Sequence, residues 1–143
     1  MAKLQQAQID AFHSEGYLII DDAFPADDLE PLIAEFSASV EQNASRALTQ
    51  GLITDTCPTE PFATRLARII ESAPDRSAAD DQGSTLFENI RGKHKSTAMF
   101  NLLTHPAILD IVESFIGPEI LAHPQFNVRA KLPNQDRSVG PWH

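Results

Sequence analysis

Phe126-Asn127-Val128-Arg129-Ala130-Lys131-Leu132-Pro133-Asn134, running on to Pro141-Trp142-His143, is the stretch on which the fold reading turns. Phe126, Val128 and Ala130 alternate with Asn127, Arg129 and Lys131, the period-two pattern of a strand with one apolar and one polar face. Upstream of it the periodicity is helical. Residues 5–15 put Ile9 and Phe12 on one face, and Gly16 offers a left-handed stop. Tyr17–Asp21 is a short apolar run of the kind expected for a strand covered on both faces. Phe24-Pro25 turns the chain, and Asp27 and Asp28 place negative charge where a helix begins.

The stripe Leu29, Leu32, Ile33, Phe36, Val40 then marks the clearest helix. From Asn43 to Pro61 the pattern is mixed, with Leu52-Ile53 read as a brief strand. Phe62, Leu66, Ile69 and Ile70 return to helical spacing until Pro74. Residues 75–85 are polar and read as a mobile, helix-poor loop within one domain spanning 1–143. Two short helices, Thr97–Leu103 and Ala107–Phe115, follow on either side of His105-Pro106. Gly117-Pro118 closes the second. The expected class is therefore α+β, helical cover giving way to sheet.

Composition narrows the function. With 143 residues and 42% hydrophobic content a core is affordable in principle, and a net charge of −9 opposes nucleic acid and anionic membrane as partners. A single cysteine, Cys57, argues against a disulfide scaffold and for a reducing compartment. Met1–Gln6 lacks the apolar core of a signal peptide, and no window is expected to reach membrane-spanning length. The expected location is the cytoplasm.

Three stretches, in order, carry a resemblance: Gln8–Phe24 with Gly16-Tyr17-Leu18-Ile19-Ile20; Thr104–Ile120 with His105-Pro106 and Gly117-Pro118; and Phe126–Asn134 leading to Pro141-Trp142-His143. Together they resemble the amino-terminal half of the phytanoyl-CoA dioxygenase family, oxygenases dependent on iron(II) and 2-oxoglutarate. The resemblance weakens between residues 43 and 95. It implies amino-terminal helical cover and the first strands of a double-stranded β-helix, a jelly-roll left incomplete in this chain. His143 would then be the first metal ligand, the histidine of a His-x-Asp pair. Such sites hold iron with two imidazoles and one carboxylate. The acidic residue, a distal histidine and a cosubstrate arginine would lie beyond His143.

The resemblance further implies hydroxylation of a small organic or acyl-CoA-type substrate with release of succinate and CO2, and an isolated chain that is inactive and retains neither iron(II) nor 2-oxoglutarate. It also places Asn127 near 2-oxoglutarate. Arg129 and Lys131 share its face. The cluster Arg91-Gly92-Lys93-His94-Lys95 is the one dense basic patch, read either as a contact for an anionic ligand or as an exposed loop. His105 and His123, each before proline, read as turn residues; His13 and His94 as solvated. Two other identities stay open: a non-catalytic cap that assembles with a separately encoded carboxy-terminal chain, and the product of an incompletely read or frameshifted gene.

Overall fold

A computed structural model describes residues 3–81, 84–123 and 126–133. It holds six α-helices among them: α1 (Gln6–Glu15), α2 (Glu30–Thr49), α3 (Phe62–Glu71), α4 (Arg76–Ala79), α5 (Thr97–Leu103) and α6 (Pro106–Ile116). Short 3-10 turns occupy Ala26–Leu29 and Thr85–Phe87. The chain divides into two compact units, Met1–Pro31 with Lys95–Pro124 and Leu32–His94 with Gln125–His143.

In the first unit the predicted stops are real. Gly16 has φ 80° and donates its N–H to the Phe12 carbonyl, a left-handed cap that any Cβ would strain. Helix α1 packs on α6 through Phe12 and Phe115, whose rings lie 4.4 Å apart. His105 caps α6 through its ring: Nδ1 accepts from the Ala107 N–H (3.2 Å), which leaves Nε2–H to donate to Asp28 Oδ2 (3.0 Å). The turn reading of His105 thus understates it. Its imidazole ties the Ala26–Leu29 turn to the start of α6. The run Thr97–Ile116 has the length and composition of a membrane span, contrary to expectation. It is nonetheless two helices, interrupted at Thr104-His105.

The second unit owns the larger core. Val40, Ala44 and Ala47 of α2 meet Leu66, Ile69 and Ile70 of α3, with Ile53, Ala79, Leu86, Phe87 and Ile90 closing the cluster. Helix α2 runs to Thr49, beyond the stripe that ended at Val40. Its continuation was hidden because the next inward position is Asn43, polar yet fully buried. Asn43 Nδ2 donates to the carbonyls of Leu86 (3.2 Å) and Glu88 (2.6 Å), and its Oδ1 accepts from Arg46 Nη2 (2.8 Å). A buried amide satisfied on both sides is tolerated in a core. Here it fastens the Thr85–Glu88 segment to α2. Residues 76–79, expected to be helix-poor, form a single helical turn whose Ala79 is buried.

The expected jelly-roll strands are overturned. Among the described residues there is no β-strand, and the pairing of Gly92 with Val128 is an isolated antiparallel bridge. A strand is held by a ladder on its neighbour. Tyr17–Ile20 has none, and instead of being covered on both faces it exposes Tyr17 (64%) and Ile19 (74%). Residues 126–132 do alternate in burial, but their apolar face is used on a helical core, where Ala130 and Leu132 pack, and not on a second sheet. Leu52-Ile53 is likewise no strand; Ile53 is buried in the core from an irregular segment.

Burial separates the consequences of two mutations on α3. Ile69→Ala, at a fully buried site, is expected to cost about 2–5 kcal/mol in chemical denaturation. Phe62→Ala, at a position left 42% exposed, is expected to cost clearly less. Asn43→Leu matches the volume but strips the Leu86 and Glu88 carbonyls of their donor, at about 1–3 kcal/mol for each group left unsatisfied.

Candidate functional site: an open cleft in the second unit

The Gly92–Val128 bridge is made by two hydrogen bonds, Gly92 N to Val128 O (3.0 Å) and Val128 N to Gly92 O (2.8 Å). It joins two stretches that the sequence presents separately, the basic cluster and the alternating segment. Gly92 sits at φ 84°, so a glycine suits this turn out of the 3-10 segment and into the bridge. Between the two stretches lies an open cleft of about 510 Å³. Arg91, Asn127 and Arg129 line it, with Asn89, Glu88 and Ser84 along one wall.

Antiparallel register through Gly92–Val128, carried one residue either way, sets Arg91 opposite Arg129 and Lys93 opposite Asn127. Among the described lining residues the carboxylate is Glu88, which accepts from Arg46 Nη2 at 2.6 Å. Asn127 and Arg129 are exposed, so their hydrogen-bonding groups face solvent. Arg91 and Asn127, singled out for different reasons in sequence, thus border one space. Lys93, Lys95 and Lys131 are not on its lining.

His94 departs from its expected solvated state. Its side chain is 14% exposed, its Nε2 lies 3.0 Å from Glu35 Oε2, and its Nδ1 lies 3.2 Å from the Asn89 carbonyl. The ring packs on Phe36, centroids 4.6 Å apart. No local pattern announces this, because Glu35 is 59 residues away. The presence of Phe36 on the α2 stripe next to Glu35 was the available hint. His13 is exposed, as expected.

The set offers hydrogen-bond donors of the kind that suit an anion. Guanidinium groups present planar donors that match carboxylate oxygens, and Asn127 adds a neutral donor. Among the described residues no three His, Cys, Asp or Glu side chains gather in a group. His143, the predicted first ligand, lies outside the described residues.

Two ionisable groups are displaced elsewhere in the unit. Arg65 hydrogen-bonds Glu41 and adds its charge, holding the Glu41 carboxyl below the ordinary range. The same arginine grips the Thr56 carbonyl through Nε and Nη2, both at 3.1 Å. Burial, then Asp55 and Glu60, pushes the Cys57 thiol up.

A depressed carboxylate stabilises the fold above its unfolded value and ceases to do so as pH falls through its folded value. Glu41→Gln is therefore expected to destabilise near neutral pH by no more than about 1 kcal/mol, the Glu41 carboxylate being about half exposed. The difference from the native chain should vanish on acidification below the folded-state value, as followed by thermal melts. Cys57, short of thiolate, is expected to alkylate more slowly than a free cysteine at about pH 8 and to reach the ordinary rate once the chain is unfolded.

The chain matches no family model, no characterised protein and no solved structure.

Proposed function

We propose that the second unit binds a small dicarboxylate such as 2-oxoglutarate in the Arg91–Asn127–Arg129 cleft, and that the chain works as part of an oxygenase dependent on iron(II) and 2-oxoglutarate that hydroxylates a small organic substrate. The observation that carries this reading is the convergence of Arg91, Asn127 and Arg129 on one opening. The oxygenase class itself rests on the ordered sequence resemblance. In this reading Arg91 and Arg129 neutralise the carboxylates and Asn127 donates its amide to a carboxylate or keto oxygen. The chain alone is catalytically silent, and its setting is the cytoplasm.

A second reading is favoured by the exposure of Tyr17, Ile19, Phe100, Ile116 and Leu121 in the first unit. Large apolar side chains left in water are the currency of association. The chain would then be a non-catalytic interaction module for a complementary chain. The two readings differ in what the second unit binds by itself.

Two charge-assisted contacts at about 2 kcal/mol each give roughly 4 kcal/mol, a dissociation constant of about 1 mM for 2-oxoglutarate. Calorimetry or ligand-observed NMR should find that affinity, weakened by salt. Arg91→Glu or Arg129→Glu should reduce it more than about tenfold, while Lys95→Glu, off the lining, should change it little. Equal affinity in all variants, or none in the native chain, contradicts the proposal. Incubated with iron(II), 2-oxoglutarate and oxygen, the purified chain is expected to form no succinate.

A further inference from the structure

We propose that Arg46 is a positioning residue that sets the charge of the cleft: it engages the Glu88 carboxylate, so that the acidic member of the described lining does not oppose an anionic ligand. This inference rests on the anion reading above. Arg46 is not itself on the lining, so it acts through Glu88. Its Nη2 reaches Glu88 Oε2 at 2.6 Å and Asn43 Oδ1 at 2.8 Å. A terminal guanidinium nitrogen carries two N–H groups, one for each of these acceptors.

Asn43 makes the arrangement stiff. It stands three residues before Arg46 on α2, a spacing that puts the two side chains side by side. It is fully buried, and its Nδ2 donates to the Glu88 carbonyl at 2.6 Å. Glu88 is therefore held twice from α2, at its backbone oxygen by Asn43 and at its carboxylate by Arg46, and the two holders bond to each other. An ion pair at the surface gains little when two long side chains must be ordered to form it. Here the arginine is already ordered on a buried amide. Both side chains of the pair keep about half of their exposure, 42% for Arg46 and 50% for Glu88, so what the pair supplies is cancellation of charge beside the opening and little stability.

A second observation separates Arg46 from an ordinary structural residue. Its Nε is buried and makes no hydrogen bond among the described residues. A desolvated donor without an acceptor costs free energy that an aliphatic chain of similar reach would not. Packing of α2 thus gives no reason for an arginine at this position, whereas a carboxylate on the cleft wall gives one.

The test uses the whole chain near neutral pH and two probes, 2-oxoglutarate as a dianion and 2-oxobutyrate as a monoanion, followed by ligand-observed NMR. Arg46→Met leaves the Glu88 charge uncompensated and should weaken 2-oxoglutarate about fivefold and 2-oxobutyrate about twofold, the loss following the charge of the ligand. Arg46→Met/Glu88→Gln, which removes both charges, should recover most of that loss. Arg46→Lys keeps the cation without the planar fork and should lose less than Arg46→Met. A readout on the native chain needs no variant: the two Arg46 Nη nitrogens should give separate resonances, because a guanidinium held by two acceptors rotates slowly. A single averaged resonance overturns the proposal. So does unchanged affinity in Arg46→Met, or equal weakening of both probes that Glu88→Gln does not rescue, which is the mark of a merely structural role. If neither probe binds the native chain, the anion reading fails and this inference falls with it; if both bind and Arg46→Met binds them equally well, this inference alone fails.

Discussion

One buried amide holds the second unit in register. Asn43 sits at zero exposure, and its hydrogen bonds to the Leu86 and Glu88 carbonyls fix how the segment after the Thr85–Phe87 turn lies on α2. Directionality is the point. Apolar packing of Leu86, Phe87 and Ile90 would tolerate small slides, whereas a fully desolvated amide does not, because any slide leaves a buried polar group unsatisfied. Glu88, where the chain enters the cleft, is placed by that restraint.

From there the structure passes from rigid to exposed in a few residues. Beyond Ile90 the chain is tied by the Gly92–Val128 pair and by the His94 ring, and its charged side chains reach water. Arg91 and Arg129 are both exposed, and both line the cleft.

Much of the helical architecture was legible in sequence because it is written in local chemistry. Gly16 and Gly117 stop α1 and α6 by their positive φ, Ser96 begins α5 by accepting from the Met99 N–H, and Pro106 stands at the start of α6. The strands were misread because alternation reports a buried face and not the partner that buries it. Phe126–Leu132 has the face, but its partner is a helical core. Asn43 concealed the second half of α2 by interrupting the apolar stripe with a residue that a core accepts only when distant carbonyls are there to meet it. For the site, Arg91 and Asn127 were each visible, yet the bridge that joins them spans 36 positions between Gly92 and Val128. The role of His94 was invisible for the same reason, since Glu35 comes from another element.

The central claim is that Arg91, Asn127 and Arg129 form one dicarboxylate site built on the Gly92–Val128 pair. Titration of the isotope-labelled chain with 2-oxoglutarate, followed by backbone and arginine side-chain NMR, tests it most directly. The account predicts shifts concentrated at Glu88–Gly92 and Asn127–Arg129, including both guanidinium groups, with α1 and α6 unmoved. Shifts spread over the exposed apolar residues of the first unit, or none at either arginine, would contradict it.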